Sequence, residues 1–227
     1  MRFFRPCFLA GLYPEAKFRI KITEKILYLT FDDGPDPEST PLLLEVLRKH
    51  DIKVLFFCIG QAAEEHPELI RQILDDGHEI GNHTYNHANG WITHSAIYVN
   101  DVIRASKSTS SLIFRPPFGR LRPKQYRILK KQFLIVFWDL MAYDFDSTFS
   151  AENSLKILKA KIRKGSIIVL HDTPQSSAGY FLDEFLTFAV GEGYRFEVMI
   201  PQPPAAARLG LLKKSKSINR KGRKEFT

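Results

Sequence analysis

His83-Thr84-Tyr85-Asn86-His87 sets two imidazoles four residues apart, a spacing at which both rings reach the same side of one helical turn. Neutral imidazole is a good zinc ligand, so the pair suggests a metal site, although the same spacing also occurs in surface and capping histidines. A carboxylate from another part of the chain shifts that balance. Two His and one Asp leave positions on a divalent ion open to water and substrate, the pattern of a catalytic rather than a structural site. Asp32-Asp33 offers one carboxylate and a second beside it. Neighbouring side chains at the end of an extended strand diverge, so one acid can ligate the ion while the other takes a proton from water. The competing reading is a plain turn, because Asp, Gly and Pro in Phe31-Asp32-Asp33-Gly34-Pro35 are turn formers. His171 follows the apolar run Ile167-Ile168-Val169-Leu170. There it can protonate a leaving amine or alkoxide, or serve as a hydrogen-bonded structural histidine.

The elements that must position these groups alternate between β and α. Strands are predicted over 26–31, 54–58, 79–82, 112–115, 133–138, 166–170 and 194–199. Several are continuous apolar runs, which suits parallel strands buried on both faces. The first helix is predicted to start at Thr40-Pro41 and to run through Leu43, Leu44, Val46 and Leu47. Others fit 67–75, 97–106, 123–131, 151–163 and 180–190, with Gly77, Gly165 and Gly193 placed to close helices before the next strand. About seven such units point to an α/β barrel rather than an open sheet. Asp32-Asp33 then follows strand one, His83 and His87 strand three, 115–119 strand four, Asp144 strand five and His171-Asp172 strand six. All fall at C-terminal strand ends, the face on which barrel enzymes build their sites.

The 227 residues suffice for one domain with a substantial core. No apolar run reaches the ~18 residues of a membrane span. Net charge is +8 but uneven. Residues 201–227 carry eight Lys or Arg against one Glu, and residues 1–25 six basic against two acidic, which leaves −3 on 26–200. A nucleic-acid-binding domain carries its positive charge on the folded body, so that class is disfavoured. The tail is expected to be a solvated, disordered extension in weak contact with acidic polymers or a membrane surface. Residues 1–25 are expected as a packed or surface-associated leader. Its apolar stretch is broken by Arg5 and Pro6, so a cytoplasmic or membrane-peripheral location is expected, with secretion the lesser alternative. Cys7 and Cys58 form no disulfide framework, and Cys58, in 54–58, reads as a buried thiol. No obligate protein partner is evident.

Together, Thr30-Phe31-Asp32-Asp33-Gly34, His83-Thr84-x-x-His87, Arg115-Pro116-Pro117-Phe118-Gly119 and Leu170-His171-Asp172 resemble the successive motifs of the polysaccharide deacetylase family, the NodB homology domain or carbohydrate esterase family four. The resemblance covers about 26–200 and implies a distorted (β/α)7 barrel. It further implies Asp33, His83 and His87 as metal ligands, for Zn2+ with Co2+ as an alternative, and Asp32 as general base. Arg115 would orient Asp32, and His171 would act as general acid. The backbone N–H of Phe118 would hold the oxyanion, and Leu170 would line a pocket for the acetyl methyl. Two departures stand out. Phe118 replaces the usual Tyr, and in the fourth motif Trp138 and Asp144 fit while Phe145 replaces Trp. Asp144 is expected to orient His171 through a hydrogen bond. Trp91 is either a sugar-stacking platform or a core aromatic.

The activity this implies is removal of N-acetyl groups from an N-acetylhexosamine polymer or oligomer, such as peptidoglycan or a chitin-like glycan. The same machinery would also attack an O-acetyl ester or a small non-sugar amide. A catalytically inactive carbohydrate-binding module would be expected to have lost the base or the acid, and both Asp32 and His171 are present.

Overall fold

The computed structural model describes residues 10–199. The expected basic tail, residue 200 and positions 1–9 of the leader, Cys7 among them, lie outside the described residues. The strands in chain order are β1 (Ile26–Asp32), β2 (Leu55–Cys58), β3 (Glu79–Asn82), β4 (Ile113–Phe114), β5 (Leu134–Ile135), β6 (Leu140–Met141), β7 (Ile167–His171) and β8 (Arg195–Phe196). The helices are α1 (Ser39–Lys49), α2 (Gly60–Glu65), α3 (Pro67–Asp75), α4 (Ser95–Thr109), α5 (Pro123–Leu129), α6 (Ala151–Lys161) and α7 (Ala178–Gly191). Seven strands follow one curled path, β5-β4-β3-β2-β1-β7-β6, with β8 paired to the start of β1. Each of these pairings is parallel. This is the α/β barrel that the alternating units predict, realised as a curled seven-strand half-barrel.

Strand periodicity sorts the core into layers. Leu27, Leu29 and Phe31 of β1 and Ile168 and Leu170 of β7 pack outward beneath the helices, with Leu43, Leu44, Phe181 and Phe185. Ile26 and Tyr28, Leu55 and Phe57, Ile113 and Ile167 fill the inner layer. Helix ends follow local chemistry. α3 begins on Pro67 with Glu68 in its first turn, and Gly77 at φ +80° ends the segment. Ser150 caps α6 by accepting from the Asn153 N–H, while Lys159 and Lys161 occupy its last turn.

Two short elements escape the periodic reading. α2 has six residues and runs almost directly into α3, too short for an amphipathic repeat. The run predicted as one strand over 133–138 yields only β5, and the chain then crosses to form β6 on β7. Since β5 and β6 end the strand path, residues 136–139 span the barrel's seam covalently rather than by a ladder. Residues 17–20 patch the same seam. The Lys17 N–H donates to the Ile135 carbonyl, Phe137 N–H donates to the Lys17 carbonyl, and Ile20 N–H donates to Gly165. Phe18 stacks on Phe137 at 4.6 Å, and Tyr13 is buried beside them. The described part of the leader therefore packs on the barrel through Tyr13 and Phe18, with most of its other side chains exposed. No helix among the described residues is long and apolar enough to cross a membrane.

Candidate active site

On the inner face, the same periodicity lifts Thr30 and Asp32 from β1, Arg115 from beyond β4 and His171 from β7 to the C-terminal mouth. Asp32 and His171 are direct register partners. Arg115, wholly buried, donates from Nη1 to Asp32 Oδ1 at 2.6 Å and to Thr30 Oγ1 at 2.7 Å, and from Nη2 to the Phe137 carbonyl at 3.0 Å. Its guanidinium lies 4.1 Å over the Phe57 ring. A Cβ on Gly81 would come within 2.4 Å of that ring, so only glycine leaves it room. Burial works against the Arg115 charge, and the Asp32 carboxylate opposes that loss.

Asp33, one residue past β1, turns at φ 79° and faces both histidines. Its Oδ1 lies 3.3 Å from His83 Nε2 and 3.1 Å from His87 Nε2. The pair is not helical. Residues 83–87 form an irregular loop in which Thr84 and His87 have φ of 64° and 51°. This corrects the one-turn geometry suggested by the spacing: backbone reversals, not a helical repeat, bring the rings to one side. His83 Nδ1–H donates to the Arg115 carbonyl at 2.9 Å, which leaves the Nε2 lone pair facing Asp33. Asp33 Oδ1 is buried and has no hydrogen-bond partner. Ligand atoms of Asp33, His83 and His87 lie within 4.8 Å of one another, and lone pairs converging on a common point fit a divalent cation.

His171 Nδ1–H donates to Asp144 Oδ1 at 3.1 Å. Asp144 is buried and also accepts from the His171 backbone N–H and the Ser176 hydroxyl, each at 2.7 Å. Burial lowers the His171 pKa, but the charge and hydrogen bond of Asp144, aided by Asp33 and Asp32, raise it to about 9. Asp144 follows β6 rather than the fifth strand, because the expected 133–138 strand divides at the seam. Next to His171, Asp172 points away into the protein and accepts from Ser39 and Thr40 at 2.6 Å each, tying the mouth to the start of α1. Burial raises Asp172 to about 6 despite both hydroxyls.

These groups surround an open cleft of about 380 Å³. Asp32, Asp33, His83, His87 and His171 form its floor, and Phe118, Trp138, Met141, Tyr143 and Phe145 its apolar wall, with Arg120 beside them. Phe118, at φ 59°, packs its ring 4.6 Å from His87, and Phe145 lies edge-on to His171 at 4.7 Å. Leu170 is placed elsewhere. Sequential neighbours on a strand face opposite sides, so with His171 at the mouth Leu170 packs under the helices and does not line this cleft. Trp91 is 54% exposed, which removes the core reading. Arg120, Met141 and Tyr143 had no sequence signal beyond their proximity to the third and fourth motifs.

A curled parallel sheet with carboxylates, imidazoles and a candidate ion site convergent at the C-terminal strand ends places the chain in the class of α/β-barrel proteins with a site at the mouth. The sequence model of the family described as polysaccharide deacetylase matches residues 19–133. A peptidoglycan-N-acetylglucosamine deacetylase of Bacillus cereus is 36% identical over 153 residues, 64% of this chain and 55% of that protein, so the chain spans about half of that relative. A chitooligosaccharide deacetylase of Azorhizobium caulinodans is 35% identical over 162 residues, 68% of this chain and 77% of its own length. The crystal structure of the Bc1960 peptidoglycan N-acetylglucosamine deacetylase superposes with a TM-score of 0.79 at 30% identity, covering 86% of this chain and 94% of the other. The chain belongs to the polysaccharide deacetylase family.

Proposed function

We propose that this protein is a metal-dependent hydrolase that removes N-acetyl groups from an N-acetylhexosamine polymer or oligomer of the peptidoglycan or chitin type. The observation that carries this reading is the convergence on one cleft of three sets: Asp33 with His83 and His87, Asp32 with Arg115, and His171 with Asp144. Asp33, His83 and His87 would hold the ion, Zn2+ with Co2+ tolerated, and a bound ion supplies a Lewis acid for the acetyl carbonyl.

The chain's own residues do the rest. Asp32, fixed by the Arg115 guanidinium, accepts a proton as water oxygen adds to the carbonyl carbon. The Phe118 backbone N–H, at the cleft wall, donates to the oxygen that becomes negative. His171, protonated at neutral pH, gives its Nε2 proton to the departing nitrogen, so that the C–N bond breaks to release acetate and a free amine. Trp138 and Met141, in place of Leu170, offer the apolar contact for the acetyl methyl. The test is acetate release from N-acetylglucosamine oligomers, peptidoglycan and O-acetylated glycans before and after chelation. Activity on the N-acetylated substrates should vanish with the chelator and return with Zn2+. Undiminished release from verified metal-free protein would remove the metal role, and release from O-acetylated glycans alone would make the protein an esterase.

A further inference from the structure

The floor of the cleft accounts for its own charges. Asp32 pairs with Arg115, Asp33 faces two imidazoles, and His171 pairs with Asp144. Arg120 on the wall is different. It is exposed, its guanidinium lies 5.2 Å over the Trp91 ring and 5.5 Å over the Phe118 ring, and no carboxylate among the described residues pairs with it. Trp91 and Phe118 are themselves 54% and 56% exposed. Two ring faces with a cation set beside both make a ledge at the edge of the cleft.

That ledge is held rigidly from behind. A Cβ on Gly90 would fall 2.2 Å from the Arg120 carbonyl oxygen, so the loop carrying Trp91 lies directly against the segment carrying Arg120. Gln125, fully buried, donates from Nε2 to the Gly90 carbonyl at 2.9 Å and accepts from the Arg122 N–H at 2.8 Å. The Arg122 side chain donates to the Trp91 carbonyl. The backbone beneath the ledge is thus fixed before binding, which limits the ordering cost to the side chains. A second groove of about 430 Å³, also walled by His171, carries Glu38 and Glu45. The two grooves thus differ in the charge of their lining: Arg120 on one side, Glu38 and Glu45 on the other.

We propose that the Trp91–Arg120–Phe118 ledge is a subsite for the sugar next to the one being deacetylated, and that Arg120 selects a sugar bearing an anionic substituent, a carboxylate or a phosphate. This rests on the deacetylase reading and narrows its substrate class to acidic glycans. Aromatic faces pack against the apolar faces of sugar rings. The planar guanidinium fork matches two anionic oxygens, a geometry a lysine cannot reproduce.

Three glycans of equal length test it, identical except for one substituent: a 3-O-lactyl carboxylate, its methyl amide, or a 6-phosphate on the neighbouring sugar. Binding is measured by calorimetry on the Zn2+-loaded protein, and acetate release separately. The native protein should bind at least one anionic glycan ~10-fold more tightly than the amide, the scale of one hydrogen-bonded charge pair. The carboxylate and phosphate arms identify the source. Arg120→Gln should bring that ratio close to one, Arg120→Lys should keep part of it, and added salt should reduce it in the native protein. Equal binding of all three glycans by the native protein would overturn the proposal, as would an Arg120→Gln loss equal for all three. Anion-selective binding without acetate release would leave the subsite standing and remove the deacetylase reading. Acetate release without anion preference would do the reverse.

Discussion

Replacing Asp144 by Asn keeps the shape of the side chain and an oxygen acceptor beneath His171 but removes the charge that sustains the imidazolium. In the native protein the ring stands at about 9, against 6.5 for a free histidine. At ~1.4 kcal/mol per decade this amounts to roughly 3 kcal/mol in favour of the protonated ring. Because the folded value lies above the unfolded one, that stabilisation is complete below pH 6.5 and is lost as pH rises through about 9. Without the Asp144 carboxylate, burial dominates and the ring should titrate at or below 6.5. At pH 7.5 the protonated fraction then falls from nearly all to about a tenth or less, so turnover of Asp144→Asn should fall ~10-fold or more there and much less at pH 5.5. Acetate release between pH 5.5 and 9.5 reads the displaced alkaline limb. NMR titration of His171 in chelator-treated protein, where no divalent charge displaces it, reads the ring directly. A ring still titrating near 9 in Asp144→Asn, or a rate lowered equally at every pH, would refute the argument.

The two neighbouring acids should separate cleanly. Asp32→Asn should keep its metal through dialysis and lose ~10²–10⁴ in rate, whereas Asp33→Asn should lose metal, since its remaining ligands are neutral imidazoles; metal content measured beside acetate release decides this, and the opposite pattern would exchange their roles. Arg115→Met should cost ~3–5 kcal/mol in urea unfolding near neutral pH, because it strands Asp32 in a buried place without its cation. A loss below ~1 kcal/mol would show that water or another group takes over the pairing.

Much of this site was legible because its chemistry is written in residue types at strand ends. Asp32-Asp33, His83, His87 and His171 each follow an apolar run long enough to be read as a strand, and the barrel rule then brings those ends together. What escaped was geometry that periodicity does not encode. The four-residue spacing of His83 and His87 implied a helical turn, but the loop reaches the same convergence through two left-handed residues. The resemblance sets Leu170 at the mouth although it adjoins His171 on one strand. The parity of β7 already forbade both facing inward. The two-residue β6 and the six-residue α2 are held by their neighbours rather than by a pattern of their own. Arg120 carried no signal, since an exposed arginine after Gly119 gains meaning only from Trp91, which lies far from it in the chain.

Arg115 serves the mouth with two different parts of itself. Its side chain fixes the base, and its carbonyl fixes the tautomer of His83. Mutation can reach only the first. Any replacement that leaves the course of the loop intact retains the carbonyl and with it the lone pair turned toward Asp33. Substitution at position 115 therefore separates two supports that one residue supplies: it frees the Asp32 carboxylate and leaves the His83 ring held as before.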